Sequence, residues 1–312
     1  MSRRRTALLL AALALLLLGA QRRLRHPGEL RLSDWFDPRS RPDVVTMTAW
    51  RAPVIWEGTF DRDALRRHYG ACNLTVGLAV LAAGRTAEKH LEPFLTSANK
   101  HFMVGSRVVF YVLADTHKDA PHVELLPLDP AAPRRLQVLP IPEGSWPQDP
   151  EAAGMHSLGA HIGPRIAGEV DFLFCMAASQ RFQNDVGEEA LGAAVAQLHP
   201  WWYFRGAGDF PYERRPASAA CIPRGQGDFY YDGALVGGTP WRLLGLIEQC
   251  LRGLAHDAAL GLRSTFESHL NRHFLLHKPS RLLSPEYGWD AALAPPAQVR
   301  YVKVARLSRR GQ

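Results

Sequence analysis

Residues 171–182 read DFLFCMAASQRF, and the fold turns on them. After Asp171 the run Phe172 to Met176 is apolar at every position. That is the pattern of a strand buried on both faces, as in parallel sheets covered by helices. In an open α/β sheet, the loop just past such a strand is where ligands bind. A site for a phosphate-bearing ligand calls for carboxylates there, to hold a metal ion. This chain has Ala177, Ala178 and Ser179 instead.

The same pattern extends outward. LTVGLAVLAAG, Leu74 to Gly84, is a second apolar strand. Thr86 to Met103 predicts a helix, and RVVFYVLAD, Arg107 to Asp115, another strand. That order implies a right-handed parallel crossover. Residues 116–150 are rich in Pro and read as a loop or irregular excursion. A helix is expected from about Met155 to Ile166. Downstream, Gly187 to Leu198 reads as a helix, and WWYF (201–204) and GDFYYDGALVGG (227–238) as strands. Trp241 to Leu262 is a long amphipathic helix, and FESHLNRHFLLHK (266–278) a second, stopped by Pro279. The chain therefore reads as one α/β domain behind a poorly patterned lead.

The formal charge of +7, from 37 Lys and Arg against 30 Asp and Glu, is local. Arg3, Arg4, Arg5, Arg22, Arg23 and Arg25 all precede the first acid, Glu29; without them 31 basic residues face 30 acidic ones. A second basic cluster, Arg300, Lys303, Arg306, Arg309 and Arg310, closes the chain. No basic stripe with interleaved aromatics runs through it, which argues against nucleic acid as a partner. The N-terminal arginines bracket Thr6–Ala20, an uncharged stretch shorter than the roughly 20 residues of a usual span. It fits a signal-peptide core ending near Leu18-Gly19-Ala20. It also fits an uncleaved signal anchor with Arg22 and Arg23 snorkelling at the far face. The anchor is the favoured reading. It divides the chain into a cytoplasmic tail (1–5), a transmembrane segment (6–20), a stem (21–65) and a luminal domain (66–312). In that compartment Asn73-Leu74-Thr75 is a glycosylation sequon. Cys72, Cys175, Cys221 and Cys250 show no C-x-x-C spacing and fix no pairing. His256, His269, His273 and His277 lack an acidic partner at metal-ligand spacing, which argues against zinc.

Two features carry chemistry. Glu267 falls with Leu270 and Phe274 at i, i+3 and i+7, on or near one helix face. A lone Glu on a helix is ordinarily a solvated surface residue. The aromatic runs HPWWYF (199–204) and GDFYYDG (227–233) are ordinarily core and sheet packing. The other reading is a sugar platform, on which rings stack against the apolar face of a hexose. On a strand, Trp201 and Trp202 would face opposite ways.

The stretches NLTVGLAVLAAGR (73–85), HFMVG (101–105), FPYERRPASAACIPRGQGDFYY (210–231), VGGTP (236–240) and ESHLNRHFLLHKPSRLLSPEYGWD (267–290) resemble the family 6 glycosyltransferases. That family includes the blood-group A and B transferases and the α-1,3-galactosyltransferase. The resemblance covers about Trp50 to Lys303. The stem sequence ELRLSDWFDPRSRPDVVTMTAW and the MAAS segment resemble one member of it more closely.

The resemblance implies a GT-A-type nucleotide-sugar transferase fold and a single-pass type II anchor in the Golgi membrane. It implies a UDP-galactose or UDP-N-acetylgalactosamine donor, Mn²⁺, a glycolipid or glycoprotein glycan as acceptor, and a retained α-1,3 linkage. By the same resemblance the catalytic carboxylate falls on Glu267. The donor-binding positions fall on Leu81, Ala82, Ala83 and Thr86, on Ala177, Ala178 and Ser179, and on Arg309. Acceptor contacts fall on His199, Trp201, Trp202 and Pro211, and the sugar-selecting positions on Asp232 and Ala234.

The departures from the family all lie on the donor side. The Asp-x-Asp that holds Mn²⁺ falls on Ala177-Ala178-Ser179, and a hard cation wants charged oxygen ligands. The arginine that reaches the diphosphate falls on Gly154. The Trp-His-Asp before the catalytic Glu falls on Ser264, Thr265 and Phe266. Asp232 adds a negative charge where a sugar would sit. Two readings stand. One is an active transferase in which Arg309 or Lys303 meets the phosphates. The other is a pseudoenzyme that binds a glycan or a partner transferase without transfer.

Overall fold

The strand expected at DFLFCM is Phe172–Ala177, and its Leu173, Phe174, Cys175 and Met176 are each at most 1% exposed. The computed structural model describes residues 30–82, 85–114, 133–141 and 150–307. In chain order its strands are β1 Val54–Ile55, β2 Thr75–Ala82, β3 Arg107–Ala114, β4 Arg134–Pro140, β5 Phe172–Ala177, β6 Gln180–Phe182, β7 Ala194–Leu198, β8 Tyr231–Gly238, β9 Arg281–Leu283, β10 Trp289–Asp290 and β11 Val304–Arg306. The helices that matter here are α1 Arg62–Ala71, α2 Arg85–His101, α3 Pro150–His161, α4 Pro200–Tyr203, α5 Pro240–Ala259 and α6 Phe266–Leu276.

The fold is mixed α/β. Eight strands form one sheet in the order β1-β9-β7-β8-β5-β2-β3-β4, and β10-β11-β6 form a small second sheet. Strands β5, β2, β3 and β4 are parallel, as the strand–helix–strand reading required. β8 runs antiparallel between β5 and β7. Its first residues, Tyr231 and Asp232, therefore lie at the same end of the sheet as the last residues of β2 and β5. That end carries the site.

Alternation along β5 feeds two cores. Leu173 and Cys175 pack with Leu158 of α3 and Leu243 and Ile247 of α5. Phe174 and Met176 pack with Leu91, Phe94, Leu95 and Ala98 of α2. Each of the Leu, Ile, Phe and Met side chains contributes about 1.5–3 kcal/mol by leaving water. Three of the cysteines, Cys72, Cys175 and Cys250, are buried, and all four are free thiols.

Several expectations change. Gly187–Leu198 is not a helix: Glu188–Ala190 makes one 3₁₀ turn and Ala194–Leu198 is strand β7, held between β8 and β9. Alanine favours helix, but burial between two strands overrides that weak preference. WWYF is not a strand. Pro200 opens the short helix α4, and His199 caps it by accepting the Trp201 N–H. Proline at the first helical position supplies the fixed φ that the turn needs. The Pro-rich 116–150 excursion hides β4, which pairs parallel with β3; only Leu139 of that edge strand is buried, so no strand pattern shows. The helix expected over Met155–Ile166 starts earlier, at Pro150, and ends in a π-type turn, Ile162–Ile166.

The segment read as a stem, 21–65, is described from Leu30 onward and does not hang free. Trp35, Phe36 and Trp56 are buried, and β1 pairs with β9 at the edge of the main sheet. No helix among the described residues is long and apolar enough to cross a membrane. The anchor expectation on 6–20 lies outside those residues, as do Ala83 and Arg309.

Candidate active site

Helix α6 brings Glu267 to the sheet end. Thr265 caps the helix by accepting the Ser268 N–H at 3.2 Å, so the two residues just before the glutamate serve as a helix start. Phe266, Leu270 and Phe274, at most 1% exposed, form the buried face. Glu267 lies on the flank of that face, half-buried rather than solvated. Asn271, which the sequence marks only as a polar helix residue, is 1% exposed and locks α6 to β8. It accepts the Tyr231 N–H at 2.9 Å and donates to the carbonyls of Tyr231 and Glu267, each at 3.0 Å.

Both carboxylate oxygens of Glu267 are held. The Tyr230 hydroxyl donates to Oε1 at 2.8 Å and the Gly233 N–H to Oε2 at 3.0 Å. Burial and the neighbouring Asp232 charge push the Glu267 carboxyl above the usual carboxylate range, against the pull of these two donors and of Arg306. Burial and the carboxylate push the Tyr230 phenol up, so it keeps its proton and donates. A side chain at Gly233 would lie 2.8 Å from the Glu151 carboxylate, so this contact to Glu267 comes from a backbone position with no room to spare.

Asp232 is 1% exposed and paired with Arg306 of β11, whose Nη2 donates to both carboxylate oxygens. Burial alone would raise the Asp232 carboxyl; Arg306 and His199 hold it below its ordinary value. The negative charge expected in the sugar position is thus neutralised from within the chain. The Ala234 N–H also bonds Asp232, at 2.8 Å.

The aromatic side is assembled around Tyr230. Phe210, Tyr212, Ile222 and Tyr230 are buried together, with Trp202 and Leu275 against them. His199 packs edge-on to Tyr230 with centroids 5.7 Å apart, and burial lowers its pKa. Because α4 is a helix, Trp201 and Trp202 do not face opposite ways. Trp202 turns in toward Tyr230, while Trp201 is 45% exposed with the Arg205 guanidinium stacked on its ring at 4.3 Å. Pro211 lies exposed between the buried Phe210 and Tyr212. A cavity of about 360 Å³ opens beside this cluster, lined by Phe210, Arg214, Arg224 and Gln226 among others.

On the donor side, Leu81 of β2 pairs across with Ala177 of β5, which brings two of the expected segments together. Ala82 ends β2 and Thr86 lies in the first turn of α2. Ala178 is buried, and the carbonyl of Ser179 accepts the Leu307 N–H at 2.9 Å. A side chain at Gly154 would meet Leu81 at 2.7 Å, so Leu81 would have to move to admit one there. Ser264 bonds His269 at 2.9 Å, Thr265 is a cap and Phe266 is core, so each has a structural partner. Lys303 does not point at a phosphate. It is fully buried, 2.8 Å from Glu57 and 3.0 Å from the Asp185 carbonyl. The residues of this turn do not fit the Mn²⁺ that the family resemblance implies. Two alanines offer a hard cation no side-chain oxygen and a serine hydroxyl is a weak ligand. No three His, Cys, Asp or Glu side chains among the described residues are grouped to hold a metal.

The sequence missed Tyr230 and Arg306. Tyr230 sits in an aromatic run that reads as packing or as a sugar platform, neither of which marks its hydroxyl as a partner of Glu267. Arg306 had one available signal: a buried Asp232 demands a cation, and the acid-free basic tail is where one is found.

A family model described as Glycosyltransferase family 6 matches residues 11–312. The chain is 53% identical over 309 residues to glycosyltransferase 6 domain-containing protein 1 of Macaca fascicularis, covering 99% of each chain. It is 43% identical over 266 residues to alpha-1,3-galactosyltransferase 2 of Homo sapiens, covering 84% of this chain and 76% of the relative. It is 41% identical over 274 residues to globoside alpha-1,3-N-acetylgalactosaminyltransferase 1 of Gallus gallus, covering 87% and 78%.

Proposed function

The chain belongs to glycosyltransferase family 6, and from that premise we propose that it is a retaining α-1,3-hexosyltransferase. It takes galactose or N-acetylgalactosamine from UDP and passes it to a glycan hydroxyl. The fold is read as GT-A-type, anchored in the Golgi membrane through residues 6–20 with its C-terminal domain in the lumen. The observation that carries the reading is Glu267: a half-buried carboxylate with both oxygens fixed, beside a wall of Trp202, Tyr230 and His199.

In the reaction the bond from the sugar's anomeric carbon to the UDP oxygen breaks and a bond to the acceptor oxygen forms. UDP leaves with the bonding pair, and the acceptor hydroxyl gives up its proton. Glu267 carries negative charge at the electron-poor carbon, as nucleophile or as electrostatic partner. The Tyr230 and Gly233 donors fix its orientation and favour the ionised form that this role needs.

A second reading is favoured by one observation, the Ala177-Ala178-Ser179 turn. It is a glycan-binding or transferase-binding protein that keeps the acceptor wall and transfers nothing. Mass-spectrometric detection of hexose transfer from each UDP-sugar to a panel of neutral glycans separates the two. Transfer by the wild type that falls at least a hundredfold in E267Q supports the transferase. No transfer by either form, with glycan binding retained in both, refutes it.

A further inference from the structure

Two described cations lie by the Ala177-Ala178-Ser179 turn: Arg181, which donates to the Ala178 carbonyl at 3.0 Å, and Arg306. The backbone of Arg306 lies beside Gln180, one residue past the Ala177-Ala178-Ser179 turn, and the next residue, Leu307, bonds Ser179. From there the guanidinium reaches across to Asp232 at the start of β8. It therefore links the segment just past the Ala177-Ala178-Ser179 turn to the start of β8. Only Nη2 is engaged by Asp232. Nε and Nη1 make no hydrogen bond to a described residue, and the side chain is 26% exposed. Asp232 has no such freedom: it is buried, and a buried carboxylate left without its partner is strongly destabilising. The pair is thus a fixed cation on a buried tether, beside a turn that cannot bind a metal.

We propose that the Arg306 guanidinium supplies the positive charge that a divalent ion would otherwise bring to this site, and that it donates to the diphosphate of a uridine nucleotide from the N–H groups that Asp232 does not use. A guanidinium N–H to a phosphate oxygen is a charge-assisted hydrogen bond, stronger than a neutral one. The inference rests on the UDP-sugar reading above and deepens it. It also sets a competition, because Asp232 draws away part of the charge that the phosphates need.

The test is calorimetric titration of UDP, and of uridine as a control, into the full-length chain, once in EDTA and once with Mn²⁺. The proteins are wild type, D232N and D232N/R306Q, each shown to be folded by circular dichroism. Neither variant contains a buried unpaired carboxylate. D232N is expected to bind UDP more tightly than wild type. D232N/R306Q is expected to bind it about ten- to a hundredfold more weakly than D232N, the size of a lost charge-assisted hydrogen bond. Uridine should bind all three alike. Equal UDP affinity in D232N and D232N/R306Q overturns the proposal and leaves the donor reading standing. So does UDP binding that appears only with Mn²⁺. No UDP binding to any form, with or without Mn²⁺, sinks the donor reading and this proposal together.

Discussion

Replacing Tyr230 by Phe removes one hydroxyl and leaves the ring that packs against Phe210, Tyr212 and Trp202 in place. The hydroxyl is one of two donors that hold the Glu267 carboxylate, at 2.8 Å. A hydrogen bond to a charged group contributes about 1.5–3 kcal/mol. Glu267 is only half-buried, so water replaces part of that bond and about 1.4 kcal/mol is a reasonable net loss, a tenfold change in an equilibrium constant. The bond favours the ionised form, and its loss raises further a carboxyl that burial and Asp232 already hold above the usual range. At pH values below its midpoint the ionised fraction of Glu267 should fall about tenfold in Y230F. The assay is a carbon-13 titration of the glutamate side-chain carboxyls, with the Glu267 signal assigned by its absence in E267Q. D232N removes the nearest negative charge and should move the same curve the opposite way, to lower pH. An unmoved Glu267 titration in Y230F, with the fold intact, refutes the claim that this carboxylate is held by design of the site.

Asp257 is fully buried and accepts from the Ser218 hydroxyl and the Ala219 N–H, which ties the 218–219 segment to α5. Burial opposes its charge, but these bonds and others hold the carboxyl at about 2 against 3.8 unfolded. The stability this provides, about 2 kcal/mol, is complete above the unfolded value and is lost as the pH falls through the folded one. D257N should cost that amount at neutral pH and flatten the acid limb of a urea-midpoint profile. Lys303 lies between Glu57 and Glu189 with no exposure. K303M, which strands a buried carboxylate, should cost about 3–5 kcal/mol, measured by urea unfolding, while UDP affinity per folded molecule stays unchanged.

What was legible in the sequence was what one segment states by itself. β2, β3 and β5 are apolar on both faces and α5 and α6 are amphipathic, so each announces its type and burial. β7 was misread because Ala-rich sequence favours helix, and only the neighbouring β8 and β9 make it a strand. α4 was misread because aromatic content outweighed Pro200. The site shows the same division. Motif resemblance pointed to Glu267, His199 and the Trp201-Trp202 pair. It did not point to Tyr230, since an aromatic among aromatics gives no sign of a hydroxyl aimed at a carboxylate. The Asp232–Arg306 pair joins residues far apart in the chain, and neither local pattern nor spacing connects them. Lys303, legible as a tail cation, turns out to be buried because β11 and its flanks fold back against Glu57 and Glu189.

The most direct test of the central claim, a nucleotide-sugar site that works without the family's metal ligands, is titration of UDP-galactose and UDP-N-acetylgalactosamine into the full-length chain. Each titration is run once with Mn²⁺ and once with EDTA. Micromolar binding of at least one sugar nucleotide, equal in the two conditions, is the expected result. No binding at millimolar ligand by a folded protein, or binding that vanishes in EDTA, would contradict it.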